Sequence, residues 1–107
     1  MAGLGAALPS TAQTSADQLI LDMQQAARRG DKARLAGLLP QVRGHVLEPW
    51  AAYWEARSRL EDFTSADMQA FSARYAGSYQ EDRLRNDWLL LLGQRRDWGS
   101  FAAEHPQ

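Results

Sequence analysis

The sequence predicts an all-α fold, and three observations predict it. Ala (18) and Leu (14) dominate the 107 residues, whereas Val and Ile together number only three. Ala and straight-chain residues lose little freedom in a helix, while a pleated strand favours β-branched ones. Cap residues and helix-stopping Gly and Pro also punctuate the chain at short intervals. Finally, Leu35, Met68 and Phe101 are separated by 33 residues and 33 again, and Asp31, Thr64 and Asp97 keep that interval. One helix-turn-helix unit of about 34 residues has this period. The expected architecture is a set of antiparallel helical hairpins in a tetratricopeptide-like right-handed superhelix, an α-α solenoid segment of about six helices. Each unit of such an array buries its apolar face on a neighbour, so an open end exposes apolar side chains unless something covers them. The stretch from Trp98 to His105 is such an end, as expected for a segment of a longer array.

Residues 1–14 carry no charge and no periodic apolar face, and read as a flexible tail or the remnant of a secretory signal. The scaffold segment is expected over 15–107. Ser15 reads as an N-cap with Asp17 in the first turn, and Ile20, Met23 and Ala27 recur at helical spacing. Arg28, Arg29 and Gly30 close that helix. Asp31 caps a shorter one carrying Leu35, Leu38 and Leu39, which Pro40 stops. A third runs from about Val46 to Leu60 with Val46, Trp50 and Tyr53 on one face, and Pro49 is tolerated in its first turn.

Thr64 or Ser65 caps the fourth helix, in which Met68, Phe71 and Tyr75 share a face before Gly77. Ser78 caps the fifth, with Glu81 placed for a capping box. Leu84, Trp88 and Leu91 form its stripe, and Leu89, Leu90 and Leu92 widen it enough to suggest cover on two sides. Asp97 caps a last short helix containing Phe101, which Pro106 stops.

Composition argues against several function classes. Lys plus Arg (12) nearly balances Asp plus Glu (13), for a net charge of −1, so no strong field draws nucleic acid. Without Cys there is no disulfide framework or thiolate metal site. No run approaches the roughly 20 apolar residues of a membrane span. His45 and His105 are far apart, without a carboxylate cluster, and read as surface or turn residues; no metal or cofactor is expected. The adjacent acids Glu61-Asp62 and Glu81-Asp82 lie at helix ends, where capping and solvation account for them. Glu55 with Arg59, Glu81 with Arg85 and Arg83 with Asp87 are i, i+4 pairs, which lower carboxylate pKa values, the wrong direction for a general acid. Trp50, Tyr53 and Trp54 are the possible glycan or partner contact, because aromatic faces stack on sugar rings. Aromatics at this spacing also read as core, as do Trp88 and Trp98.

Four runs carry a family resemblance. They are Leu47-Glu48-Pro49-Trp50-Ala51-Ala52-Tyr53-Trp54, Phe71-Ser72-Ala73-Arg74-Tyr75, Asp82-Arg83-Leu84-Arg85-Asn86-Asp87-Trp88-Leu89, and Gly93-Gln94-Arg95-Arg96-Asp97-Trp98-Gly99-Ser100-Phe101. Together they resemble the N-terminal superhelical (U-type) region of the soluble lytic murein transglycosylases, over roughly Leu19 to Pro106. The resemblance implies a bacterial periplasmic location and a parent enzyme that cleaves peptidoglycan glycan strands, forming a 1,6-anhydro sugar with one Glu as acid then base. It also implies that a C-terminal lysozyme-like domain performs the chemistry while the solenoid supports it. In the family the catalytic Glu is followed by Ser, with a Gly-Leu-Met-Gln motif downstream. Here the five glutamates precede Pro49, Ala56, Asp62, Asp82 and His105, so no catalytic residue carries over. The expectation is a non-catalytic scaffold whose partners are the lysozyme-like domain and glycan strands; the alternative is a freestanding tetratricopeptide-like adaptor.

Overall fold

The computed structural model describes residues 7–104, and every regular element in that span is helical. The α-helices are α1 (Ala7–Arg29), α2 (Lys32–Leu38), α3 (Glu48–Ser58), α4 (Ser65–Arg74), α5 (Tyr79–Gln94) and α6 (Trp98–Glu104). Short 3-10 turns follow α2 (Leu39–Val42) and α3 (Leu60–Asp62). The all-α expectation and the number of helices hold. The chain divides into two units, Met1–Ser58 and Arg59–Gln107.

In the first unit, α1 begins at Ala7 rather than at Ser15. Residues 7–14 lack charge and periodicity, but Ala, Leu and Gln favour a helix, and α1 runs through them. The part of the tail or signal reading that concerns residues 1–6 lies outside the described residues. The buried stripe of α1 is Ile20, Met23 and Ala26, one position off the predicted Ala27. Helix α2 contributes Leu35 and Leu38, and the chain continues past Pro40 as a 3-10 turn that buries Leu39 and Val42. Helix α3 buries Ala51, Ala52 and Ala56, small side chains that admit α1 and α2 close to its backbone, together with the large ring of Tyr53. Val46 precedes α3 and is 82% exposed, so it does not share a core face with Trp50 and Tyr53.

The second unit is built on Met68 and Phe71 of α4 and on Leu84, Trp88 and Leu92 of α5, all buried, with Phe63 from the preceding turn. Leu92 takes the stripe position expected for Leu91, and Leu90 remains 60% exposed, so the apolar run of α5 is not covered all round. Phe101 of α6 lies over Gly93, where an added Cβ would meet its ring at 3.9 Å. Trp98, predicted as core, is 59% exposed and packs edge-on against Phe101 at 5.6 Å. Helix α6 contains no buried residue.

The caps account for the interval of 33. Asp31 accepts from Arg34 N at 3.2 Å, Thr64 from Asp67 N at 3.1 Å, and Asp97 from Ser100 N at 3.3 Å. Each satisfies a donor that the first helical turn leaves without a partner. At Thr64 the box is reciprocal, since Asp67 also accepts from Thr64 N. The box expected at Ser78 is only half formed: Ser78 accepts from Glu81 N, but Glu81 reaches past it to Gly77 N at 2.8 Å.

Helices α1 and α5 end alike, with a left-handed residue followed by the capping Asp. Gly30 (φ 69°) directs its N–H to Ala27 O and that of Asp31 to Ala26 O; Arg96 (φ 59°) does the same toward Gly93 O and Leu92 O. A Cβ is disfavoured in that region. Gly30→Ala is therefore expected to cost about 1 kcal/mol, although no neighbouring atom lies in its way. Arg96→Gly is expected to gain up to about 1 kcal/mol for the converse reason. Urea midpoints of the two variants, moving in opposite directions, check both.

Candidate functional site

A groove of about 420 Å³ opens in the first unit, lined by Ile20, Leu21 and Gln24 of α1, Leu47 before α3, and Trp50 and Trp54 of α3. Its residues pair in step along the two helices. Asp17 meets His45 just before α3, and the lining residues that follow, 20–24 on α1 and 47–54 on α3, lie on the same side of that contact in both segments. Helices α1 and α3 therefore run parallel, and the groove follows them. On α1, Asp17, Gln24 and Arg28 fall on one stripe at i, i+7 and i+11.

The three aromatics singled out from the sequence divide here. Tyr53 is buried at 3% exposure and belongs to the core, its hydroxyl 3.4 Å from Arg57. Trp50 and Trp54 are half-buried, their ring centroids 6.4 Å apart and their planes tilted by 33°. Trp50 also stands at right angles to Tyr53, with centroids 5.9 Å apart. The core thus fixes Tyr53, Tyr53 supports Trp50, and the two indoles line the wall. Sequence reading missed Leu21 and Leu47, which are 51% and 41% exposed. Their signal was an apolar side chain lying off the buried stripe, which spacing alone does not separate from chance.

His45 lies in the turn before α3, as the sequence suggests, but its side chain is only 5% exposed. Leu47 N donates to Nδ1 at 2.9 Å, so Nδ1 carries no proton and Nε2 donates to Asp17 Oδ1 at 2.6 Å. Both ring nitrogens are engaged, which leaves neither to ligate a metal. Among the described residues no group of His, Cys, Asp and Glu is arranged to hold one. The link ties the entrance of α3 to α1 and sets Leu47 at the groove. His105 lies outside the described residues.

Glu48 is the buried carboxylate of this unit, at 7% exposure. One oxygen accepts from Gly44 N at 2.8 Å and the other from Arg43 at 3.0 Å. It sits in the first turn of α3, where the helix dipole favours its charge. Both oxygens are thus committed to the loop before α3.

Two carboxylates of the second unit have resolved shifts, both downward. Partial burial raises the Asp67 carboxyl, but the Thr64 N–H and hydroxyl and the charge of Arg59 more than offset it. Burial likewise raises Glu81, and Gly77 N–H, the Ser72 hydroxyl and Arg85, 3.4 Å away, outweigh it. Folded values below the ordinary range mean that their stabilisation is complete above that range and is lost as pH falls through the folded values. The thermal midpoint should accordingly fall as pH drops below about 4. An Asp67→Asn/Glu81→Gln variant should show a flatter acid limb in the same titration.

No family model matches the sequence, and no curated protein or solved structure matches it either.

Proposed function

We propose that this chain is a non-catalytic helical scaffold segment of the kind that supports a soluble lytic murein transglycosylase in the bacterial periplasm. In this reading the hairpins form a tetratricopeptide-like right-handed superhelix. The lysozyme-like domain of the parent polypeptide and peptidoglycan glycan strands are its partners. The residue runs around Trp50, Tyr75, Trp88 and Trp98 support the family, and the caps repeating every 33 residues support the array. The observation that carries a binding role is the groove between α1 and α3, whose concave, mostly apolar wall is stiffened by the core behind it. Its volume is within the range of ligand pockets, roughly 300–1,000 Å³. The described acids with resolved shifts are poised as anions, which supports a role other than acid catalysis.

Among the described residues no helix is long and apolar enough to cross a membrane. Co-sedimentation with purified murein sacculi, with analysis of released products, tests the proposal. Retention by sacculi without release of anhydro-muropeptides is the expected result. Release of those products by this chain alone would overturn the non-catalytic role, and absence from the pellet would overturn the glycan association.

The freestanding adaptor is the second reading, and one observation favours it. Apart from the indole N–H groups, Gln24 supplies the single polar side chain of the groove lining. A sugar ring brings several hydroxyls that need partners, whereas an apolar peptide face does not. Failure to pellet, together with saturable peptide binding, would select it.

A further inference from the structure

We infer that the α1–α3 groove receives an amphipathic α-helix about three turns long, lying antiparallel to both walls, with acidic residues in its first turn and basic residues in its last. This rests on reading the chain as a binding scaffold, but not on peptidoglycan being its target. The argument begins with shape. Two parallel helices leave a trough whose walls repeat every turn, and the apolar lining Ile20, Leu21, Leu47, Trp50 and Trp54 meets anchors at i, i+3 or i+4, and i+7.

Charge then sets direction. Just beyond the lining toward the helix C-termini, Arg28 follows Gln24 by four residues on α1 and Arg57 follows Trp54 by three on α3, each one turn along the same face. The opposite end carries Asp17, whose side chain is 56% exposed. Asp17 and Arg28 are eleven residues apart, about 16 Å along the axis, which matches a three-turn helix. An antiparallel occupant brings its positive N-terminus beside the negative C-terminal ends of α1 and α3. Acids in its first turn face Arg28 and Arg57, and bases in its last turn face Asp17. The same order of charge stabilises the occupant's own helix, so folding and docking favour one sequence pattern. A glycan carries no such polarity along its length to match these ends.

The test uses the full chain and two side-chain-stapled synthetic helices of identical composition, one with Glu first and Lys last, the other reversed. Tryptophan emission of the chain reports binding. The acid-first peptide is expected to bind about tenfold tighter or more at low salt, with the gap closing near 1 M salt, where charges are screened within about 3 Å. Leu21→Glu, at an exposed position that leaves the core intact, should weaken it at least about tenfold. Arg28→Glu should weaken the acid-first peptide and be rescued by a peptide with Lys in its first turn. Because the chain has no Cys, Arg28→Cys supplies a unique thiol, expected to form a disulfide with a cysteine in the first turn of the peptide and not in its last. Crosslinking to the last turn, equal affinity for both peptides, or no effect of Leu21→Glu would each overturn the inference. So would a groove filled by chito-oligosaccharide in place of peptide, or by a second copy of the chain seen as a dimer that Leu21→Glu dissociates. Loss of sacculus binding with peptide binding intact would refute the peptidoglycan association alone.

Discussion

Trp88→Ala is expected to destabilise the protein by about 3–5 kcal/mol, the range for truncating a large core aromatic. Trp88 is 1% exposed, between Leu84 and Leu92 on the same stripe of α5, and Phe63 meets its face edge-on at 5.9 Å. Arg59 also lies over the Phe63 ring, 5.1 Å from its centroid, so removing the indole leaves a cavity beside a ring that is held in place. The cost is a packing cost, and a second substitution separates it from the polar one. The Trp88 Nε1–H is buried without a hydrogen-bond partner among the described residues. Trp88→Phe removes that donor and keeps much of the ring, so its loss should stay below about 2 kcal/mol. Urea unfolding followed by far-UV circular dichroism measures both. A loss under about 1 kcal/mol for Trp88→Ala would mean that the indole is not core.

The legible parts of this fold were those that local chemistry decides. Asp31, Thr64 and Asp97 were readable as caps because a side-chain oxygen before a helix has one favourable use, and all three make that bond. Leu35, Met68, Leu84 and Trp88 were readable as core because each lies on a stripe of matching residues, and all four are buried. The errors fall where the decision is tertiary. Ser15 looked like a start because charge begins there, but a capping side chain does not by itself begin a helix, and α1 already covers residues 7–14. Trp98 follows the same spacing rules as Trp88, but it is 59% exposed on a helix with no buried residue. Val46 and Leu47 are adjacent and both apolar; the bond from Leu47 N to His45 sets one at the groove and leaves the other 82% exposed. For the candidate site, the sequence indicated Trp50 and Trp54 but not the wall facing them. Leu21 and Gln24 belong to the groove through the parallel alignment of α1 with α3, which depends on how the intervening hairpin folds back.

The loop that brings His45 to Asp17 of α1 is held by the buried carboxylate of Glu48, and removing it carries the second large expected effect. Glu48→Ala should cost about 2–3 kcal/mol, because a charge-assisted pair and a backbone donor lose their acceptor together. The Arg43 side chain is 42% exposed and can return to water, so the loss stays below that of a fully buried pair. Gly44 N is the costlier orphan, since its bond at 2.8 Å fixes the loop that delivers His45 and Leu47. Glu48→Gln retains an acceptor for Gly44 N and loses the ionic part, so it should cost about 1 kcal/mol. If the carboxylate sets the loop, the Ala variant also loosens the groove, and tryptophan emission from the folded protein shifts to the red as Trp50 and Trp54 gain water. A destabilised Ala variant whose native emission is unchanged would place the role of Glu48 in capping α3 and separate it from the groove.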